Sequence, residues 1–162
     1  MKRWTEQRWL IDNVIATVGL EYDQGRVSHP LSLMGAEANA DGALIRQRCK
    51  KFADIAPAFE AVARRREAKA KVHEAAGETV TAGENYFMAA HWWASAQWPI
   101  LENNETNLFY NQRKRECYEA WARLGADHRV EAAWIPFQGK QLPAWLHLPP
   151  RSEEHTSELQ SH

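Results

Sequence analysis

The residues best suited to chemistry fall in one run, Asn85-Tyr86-Phe87-Met88-Ala89-Ala90-His91-Trp92-Trp93-Ala94-Ser95-Ala96-Gln97-Trp98, where an imidazole and several large rings recur at helical spacing. An imidazole at His91 could act as a base or orient a substrate. Tyr86, Trp92, Trp93 and Trp98 could supply the flat apolar walls of a pocket. Both readings have a structural counterpart: His91 as a core histidine hydrogen-bonded to a neighbouring helix, and the rings as core packed against alanine. With no acid or nucleophile at a recognisable spacing, the core reading is favoured. Tyr86, His91, Trp92, Trp93 and Trp98 are thus the substrate-pocket candidates, and no residue is assigned a catalytic role.

Other chemistry is excluded by what the 162 residues lack. There is no Gly-x-Ser-x-Gly elbow, no glycine-rich phosphate loop, no His-Glu-x-x-His pair and no calcium-loop pattern. No cofactor and no metal site is expected. Cys49 and Cys117 stand far apart without metal-type spacing, so neither a disulfide framework nor zinc is supported, and reduced thiols in the cytoplasm are the default. His147 alternates with Trp145 on one side of a strand, while His29 in a loop and His73 on a charged helix are expected to be exposed.

Twenty Lys and Arg against 21 Asp and Glu leave almost no net charge, so no global field draws the chain to nucleic acid or an anionic membrane. No window has the length and apolarity of a membrane span, and no signal peptide follows the N-terminus. The expectation is a soluble, unexported protein. Six of the eight tryptophans lie between Trp92 and Trp145, a concentration that implies a thick aromatic core or an apolar pocket wall.

The elements that must position these residues are mainly helices. Thr5 is a plausible cap for a short amphipathic helix that ends at Gly19. Glycine, proline and asparagine between Glu21 and Gly42 read as loop, anchored by Leu31 to Met34, and Asp41 reads as a cap for the next helix. Pro57 suits the first turn of a helix through Phe59, Val62 and Ala63. Its continuation carries Arg64, Arg65, Arg66, Lys69 and Lys71, interleaved with acids as on a solvated face. Thr81 and Glu84 have capping-box spacing ahead of the aromatic helix, which is apolar nearly all round. After a corner at Asn103 to Thr106, a helix with Tyr110, Cys117, Trp121 and Leu124 on one face runs to Gly125. Val130 to Pro149 then reads as two apolar runs around Gln138-Gly139-Lys140-Gln141, a β-hairpin that needs further layers to cover it.

Two stretches together resemble a known family. Glu84 to Trp98 is similar to the helix Glu-x-Tyr-x-Arg-Ala-Ala-x-Tyr-Tyr-x-x-Ala-x-Phe of α/β-hydrolases that carry an N-terminal helical domain, the fermentation-respiration switch esterase-like and dihydroxy-pseudo-oxynicotine hydrolase-like enzymes. Trp134-Ile-Pro-Phe-Gln-Gly-Lys-Gln-Leu-Pro-Ala-Trp-Leu-His-Leu-Pro149 resembles the same family's opening hairpin. Met88 stands where the family carries arginine, and Ala144 where it carries glycine. The resemblance implies a helical cap domain over 1–126 and the first hairpin of a truncated α/β-hydrolase sheet over 127–150, while the string over 151–162 by itself looks like a translated sequencing adapter and is expected to be an artefactual disordered tail. The resemblance further implies a parent that cleaves a small ester-like substrate by serine attack. The cap would shape the pocket, with a homodimer as one assembly it could form, while the nucleophile, acid and histidine come later in the family's chain. This chain by itself should be inactive. The competing reading from another class is a tetratricopeptide-type interaction module, suggested by the antiparallel pair Ala82 to Trp98 and Thr106 to Leu124, although no second copy recurs at a fixed period.

Overall fold

The structure, a computed structural model, describes residues 7–149. Thr5 and the adapter-like stretch over 151–162 lie outside the described residues. Helix α1 spans Arg8–Val18 and ends at Gly19, whose φ of 100° suits glycine.

The segment expected as loop is largely helical. It holds α2 (Ser28–Met34), a 3₁₀ turn (Ala36–Ala38) and α3 (Asn39–Arg48). Pro30 is compatible because it sits in the first turn, where backbone N–H groups have no intrahelical acceptor. The carboxylate of Glu21 takes the N–H groups of Val27 and Ser28 at 2.8 and 2.5 Å, capping α2 from upstream. Gly35, at φ 74°, turns the chain between helices. Asp41 does not cap α3; it lies inside the helix with its side chain fully buried.

Three long helices follow: α4 (Ile55–Ala75), α5 (Thr79–Gln97) and α6 (Glu105–Leu124). Pro57 stands in the first turn of α4, and Gly77, at φ 77°, closes its far end. Since α5 already begins at Thr79, Thr81 lies within the helix and forms no capping box; its carbonyl accepts the Asn85 amide at 2.9 Å. Asn104 caps α6 by accepting the Asn107 N–H at 2.9 Å. Helix α5 is the middle layer, flanked by α4 and α6, which is why it is apolar on more than one side. Ile45, Ile55, Phe59, Val62, Trp92 and Trp93 form the centre of the core. Near the start of α5, Gly83 lies against Gly125 at the end of α6, so closely that neither has room for a Cβ.

The hairpin pairs β1 (Arg129–Phe137) with β2 (Lys140–Leu148), antiparallel from Arg129↔Leu148 to Phe137↔Lys140. Gln138 and Gly139, at φ 47° and 74°, make a two-residue turn that matches strand twist. One face seats Trp145 and His147 on α6, with the Trp145 and Tyr118 rings 5.2 Å apart. The register puts Ile135, Phe137, Leu142 and Leu146 together on the opposite face, all about half exposed. Among the described residues no helix is long and apolar enough to cross a membrane.

Candidate functional site

The basic run of α4 is solvated at Arg64, Arg65, Lys69 and Lys71, as expected, but Arg66 is buried and enters a polar network. Arg66 donates through Nε to Asp41 at 2.5 Å, and through Nη1 to Glu37 at 2.8 Å and Asn85 at 3.0 Å. Arg65 also pairs with Asp41, and the Trp92 indole N–H donates to the same carboxylate at 3.2 Å. At the next residue, Glu67 accepts from the Trp93 indole at 3.2 Å and pairs with Lys71 and Arg113. Burial alone would push the Glu67 carboxyl up; hydrogen bonds and charge from Lys71 and Arg113 outweigh it and hold the group below the usual carboxylate range. The helical spacing of Arg65 and Arg66 carried no signal of this, because the acids that meet them come from α3 and the turn before it, and of the cations on Glu67 only Lys71 lies at helical spacing while Arg113 comes from α6.

The pocket candidates divide between core and cavity. Trp92 and Trp93 are fully buried, each tied by its indole to one of these carboxylates. Tyr86 is buried as well and donates its hydroxyl to Glu74 at 2.7 Å. His91 and Trp98 instead line a cavity of about 560 Å³ together with Arg26, His29, Phe59 and Ser95. Arg26 stacks over the Trp98 ring at 3.9 Å and pairs with Asp23 at 2.6 Å. His29 is exposed, as expected, but on α2 rather than on a loop.

His91 is half-buried, with its ring 4.5 Å from that of Phe87 in an edge-on arrangement. Among the described residues its ring nitrogens have no hydrogen-bond partner, so it is not the core histidine bonded to a neighbouring helix that the sequence suggested. Burial lowers its basicity below the ordinary histidine value. A neutral imidazole with both nitrogens unengaged can accept one hydrogen bond and donate another. It also borders a second cavity, of about 220 Å³, between α5, α6 and the hairpin.

Where the hairpin meets α6, Asp127, His128, His147 and Tyr118 form a hydrogen-bonded chain. The Asp127–His128 contact is 2.5 Å, His128–His147 2.7 Å and His147–Tyr118 2.7 Å. Every atom is satisfied if the tyrosine hydroxyl donates to His147, His147 to His128, and His128 to the carboxylate. No group of three or more His, Cys, Asp or Glu among the described residues is arranged to hold a metal ion.

A bundle of helices with an aromatic middle layer, followed by a hairpin seated on its last helix, is the architecture that comparison with known proteins places. No protein-family model matches the chain. It is 34% identical over 103 residues to the α/β hydrolase ucsC of Acremonium sp, a match covering 56% of this chain and 20% of that relative. The crystal structure of 2,6-dihydroxy-pseudo-oxynicotine hydrolase superposes with a TM-score of 0.58 at 26% identity, over 76% of this chain and 34% of that one. The chain is α/β-hydrolase-like, and it spans about a fifth of the length of its curated relative.

Proposed function

We propose that these helices and hairpin are the substrate-covering cap and the first strands of an α/β-hydrolase that cleaves a small ester or related carbonyl bond with a serine nucleophile. The observation that carries this reading is the hairpin: it is apolar on both faces, as strands are when a sheet is covered on each side. One of those faces is already occupied by α6. The likeness to ucsC supplies the class of protein.

In this reading the chain performs no bond breaking. The serine, acid and base lie in the remaining part of the enzyme, and the cavity beside His91 and Trp98 forms the cap's share of the substrate pocket. His91 offers a neutral donor and acceptor to a substrate oxygen. Phe59 and Trp98 exclude water, which strengthens each polar contact inside. A lid of this kind sets selection and orientation rather than chemistry. The proposed partner is an ester-like small molecule, in the cytoplasm, with neither cofactor nor nucleic acid; a homodimer is the assembly to look for.

Aryl-ester turnover by the purified chain, alone and joined at the hairpin to the catalytic part of the Acremonium relative, tests the proposal. No turnover is expected from the chain alone and measurable turnover from the chimera. A loss of about tenfold in kcat/KM on His91→Ala is expected in the chimera, the size of one polar contact. Turnover by the isolated chain, or a folded chimera indifferent to His91, would overturn it.

A further inference from the structure

The smaller cavity carries a chemistry that the cap reading does not use. Ala90 and Ala94 of α5 line it together with the aromatic rings of Tyr118 and Trp145, and these surfaces are apolar. Lys114 and Arg115 of α6 complete the lining with His91. The two cations are adjacent in sequence, and among the described residues neither has a carboxylate within ion-pair distance, although most other cations of the bundle do. Lys114 is half-buried, and its ammonium donates to a neutral acceptor, the Gln97 side-chain oxygen, at 3.0 Å. Burial, and then the charge of Arg115, both lower the basicity of Lys114. A partly buried ammonium beside a second positive charge is an arrangement that an anion relieves.

We infer that the cavity bounded by Lys114, Arg115, Tyr118 and Trp145 binds a single-ring aromatic carboxylate, its ring against the aromatic and alanine surfaces and its carboxylate on the two cations. The volume of about 220 Å³ suits one ring with a small substituent and is below the usual range for drug-sized ligands. The aromatic lining favours a flat ring over an alkyl chain. An arginine at the mouth can take the carboxylate with two parallel N–H groups while the lysine supplies a point charge. Every lining residue belongs to this chain, so binding does not require the rest of a hydrolase and stands apart from the cap reading.

Benzoate, benzyl alcohol and cyclohexanecarboxylate are the probes, titrated into the full chain by calorimetry and by tryptophan fluorescence. Benzoate is expected to bind saturably and at least about tenfold more tightly than benzyl alcohol, the size of one charge-assisted interaction. It should also bind more tightly than the non-aromatic acid, and its affinity should fall with added salt. Lys114→Gln and Arg115→Gln should each weaken benzoate about tenfold while leaving benzyl alcohol unchanged. Trp145→Phe should abolish the fluorescence response without abolishing the calorimetric signal. Arg115 is exposed, so its variant keeps the test available should Lys114→Gln disturb folding. Absence of saturable benzoate binding, equal binding of the acid and the alcohol, or benzoate affinity unchanged in Arg115→Gln overturns the inference.

Discussion

Arg66 Nε stands 2.5 Å from Asp41 Oδ2, joining α4 to α3 through two side chains that are both buried. The pair persists because its remaining valences are filled by Glu37, Asn85, Arg65 and Trp92. Removing one partner leaves the other buried charge with only a half-exposed counter-ion, Arg65 or Glu37, which costs up to about 3–5 kcal/mol. Asp41→Ala and Arg66→Ala should each lose about that much in urea unfolding. The paired replacement Asp41→Leu with Arg66→Met should lose less than either single variant, because it buries no lone charge.

The approach of Gly83 to Gly125 gives a second test. A Cβ on Gly125 would stand 2.6 Å from Gly83 Cα, and a methyl on Gly83 would meet the Gly125 backbone even more closely. Backbone cannot rotate away as a side chain can, so the helices must separate. Gly83→Ala should destabilise by about 1–3 kcal/mol, although alanine in an isolated helix is the better residue. A neutral or stabilising effect in thermal melts would contradict the contact.

Stability should fall with acid in two stages. The folded state holds His91 below its ordinary value of 6.5, so the unfolded chain takes up that proton first. The contribution is complete above pH 6.5 and is lost as pH drops through the folded value. Glu67 is held below 4.5, so its contribution is present above 4.5 and disappears at lower pH. The melting temperature should be level near neutrality, decline from about 6.5 and decline again below 4.5. His91→Gln should remove the first decline alone.

The Asp127–His128–His147–Tyr118 chain ties β2 and the approach to β1 to α6. His147→Phe keeps a ring against Trp121 and Tyr118 but removes two hydrogen bonds. Amide exchange should then quicken across Arg129–Phe137 and Lys140–Leu148 and stay unchanged in α4 and α5. Equal acceleration throughout would show that the hairpin opens only with the whole molecule.

Both thiols should be inert in the native state. Burial, and then nearby acid, raises Cys49 to about 11 and Cys117 to about 12, far above the pH at which a thiolate reacts. Iodoacetamide at pH 8 should label neither until denaturant is added.

The helices that can be read in the sequence are those whose burial follows their own periodicity. Phe59 and Val62 on α4, the burial of α5 on more than one side, Tyr110 and Cys117 on α6, and the hairpin all follow from spacing and turn chemistry. The segment holding α2 and α3 does not, because its glycines and proline match a loop and its cap, Glu21, lies outside the helix. The burial of Arg66 and Glu67 was hidden for a related reason: a charged residue reveals its partner only when the partner lies three or four positions away. Asp41 and Arg113 do not. Of the five pocket candidates, composition could not separate Trp92 and Trp93 in the core from His91 and Trp98 at the cavity. All four lie on one helix or its C-cap, and the placement of α2 distinguishes its faces.

A strand pair seated on α6 by one face and bare on the other has the geometry of a split-protein junction. The β1–β2 turn closes locally and α6 covers one face, leaving the other as a preassembled edge. Ile135, Phe137, Leu142 and Leu146 are the adhesive surface of that edge, the one a further apolar layer supplied in trans would cover.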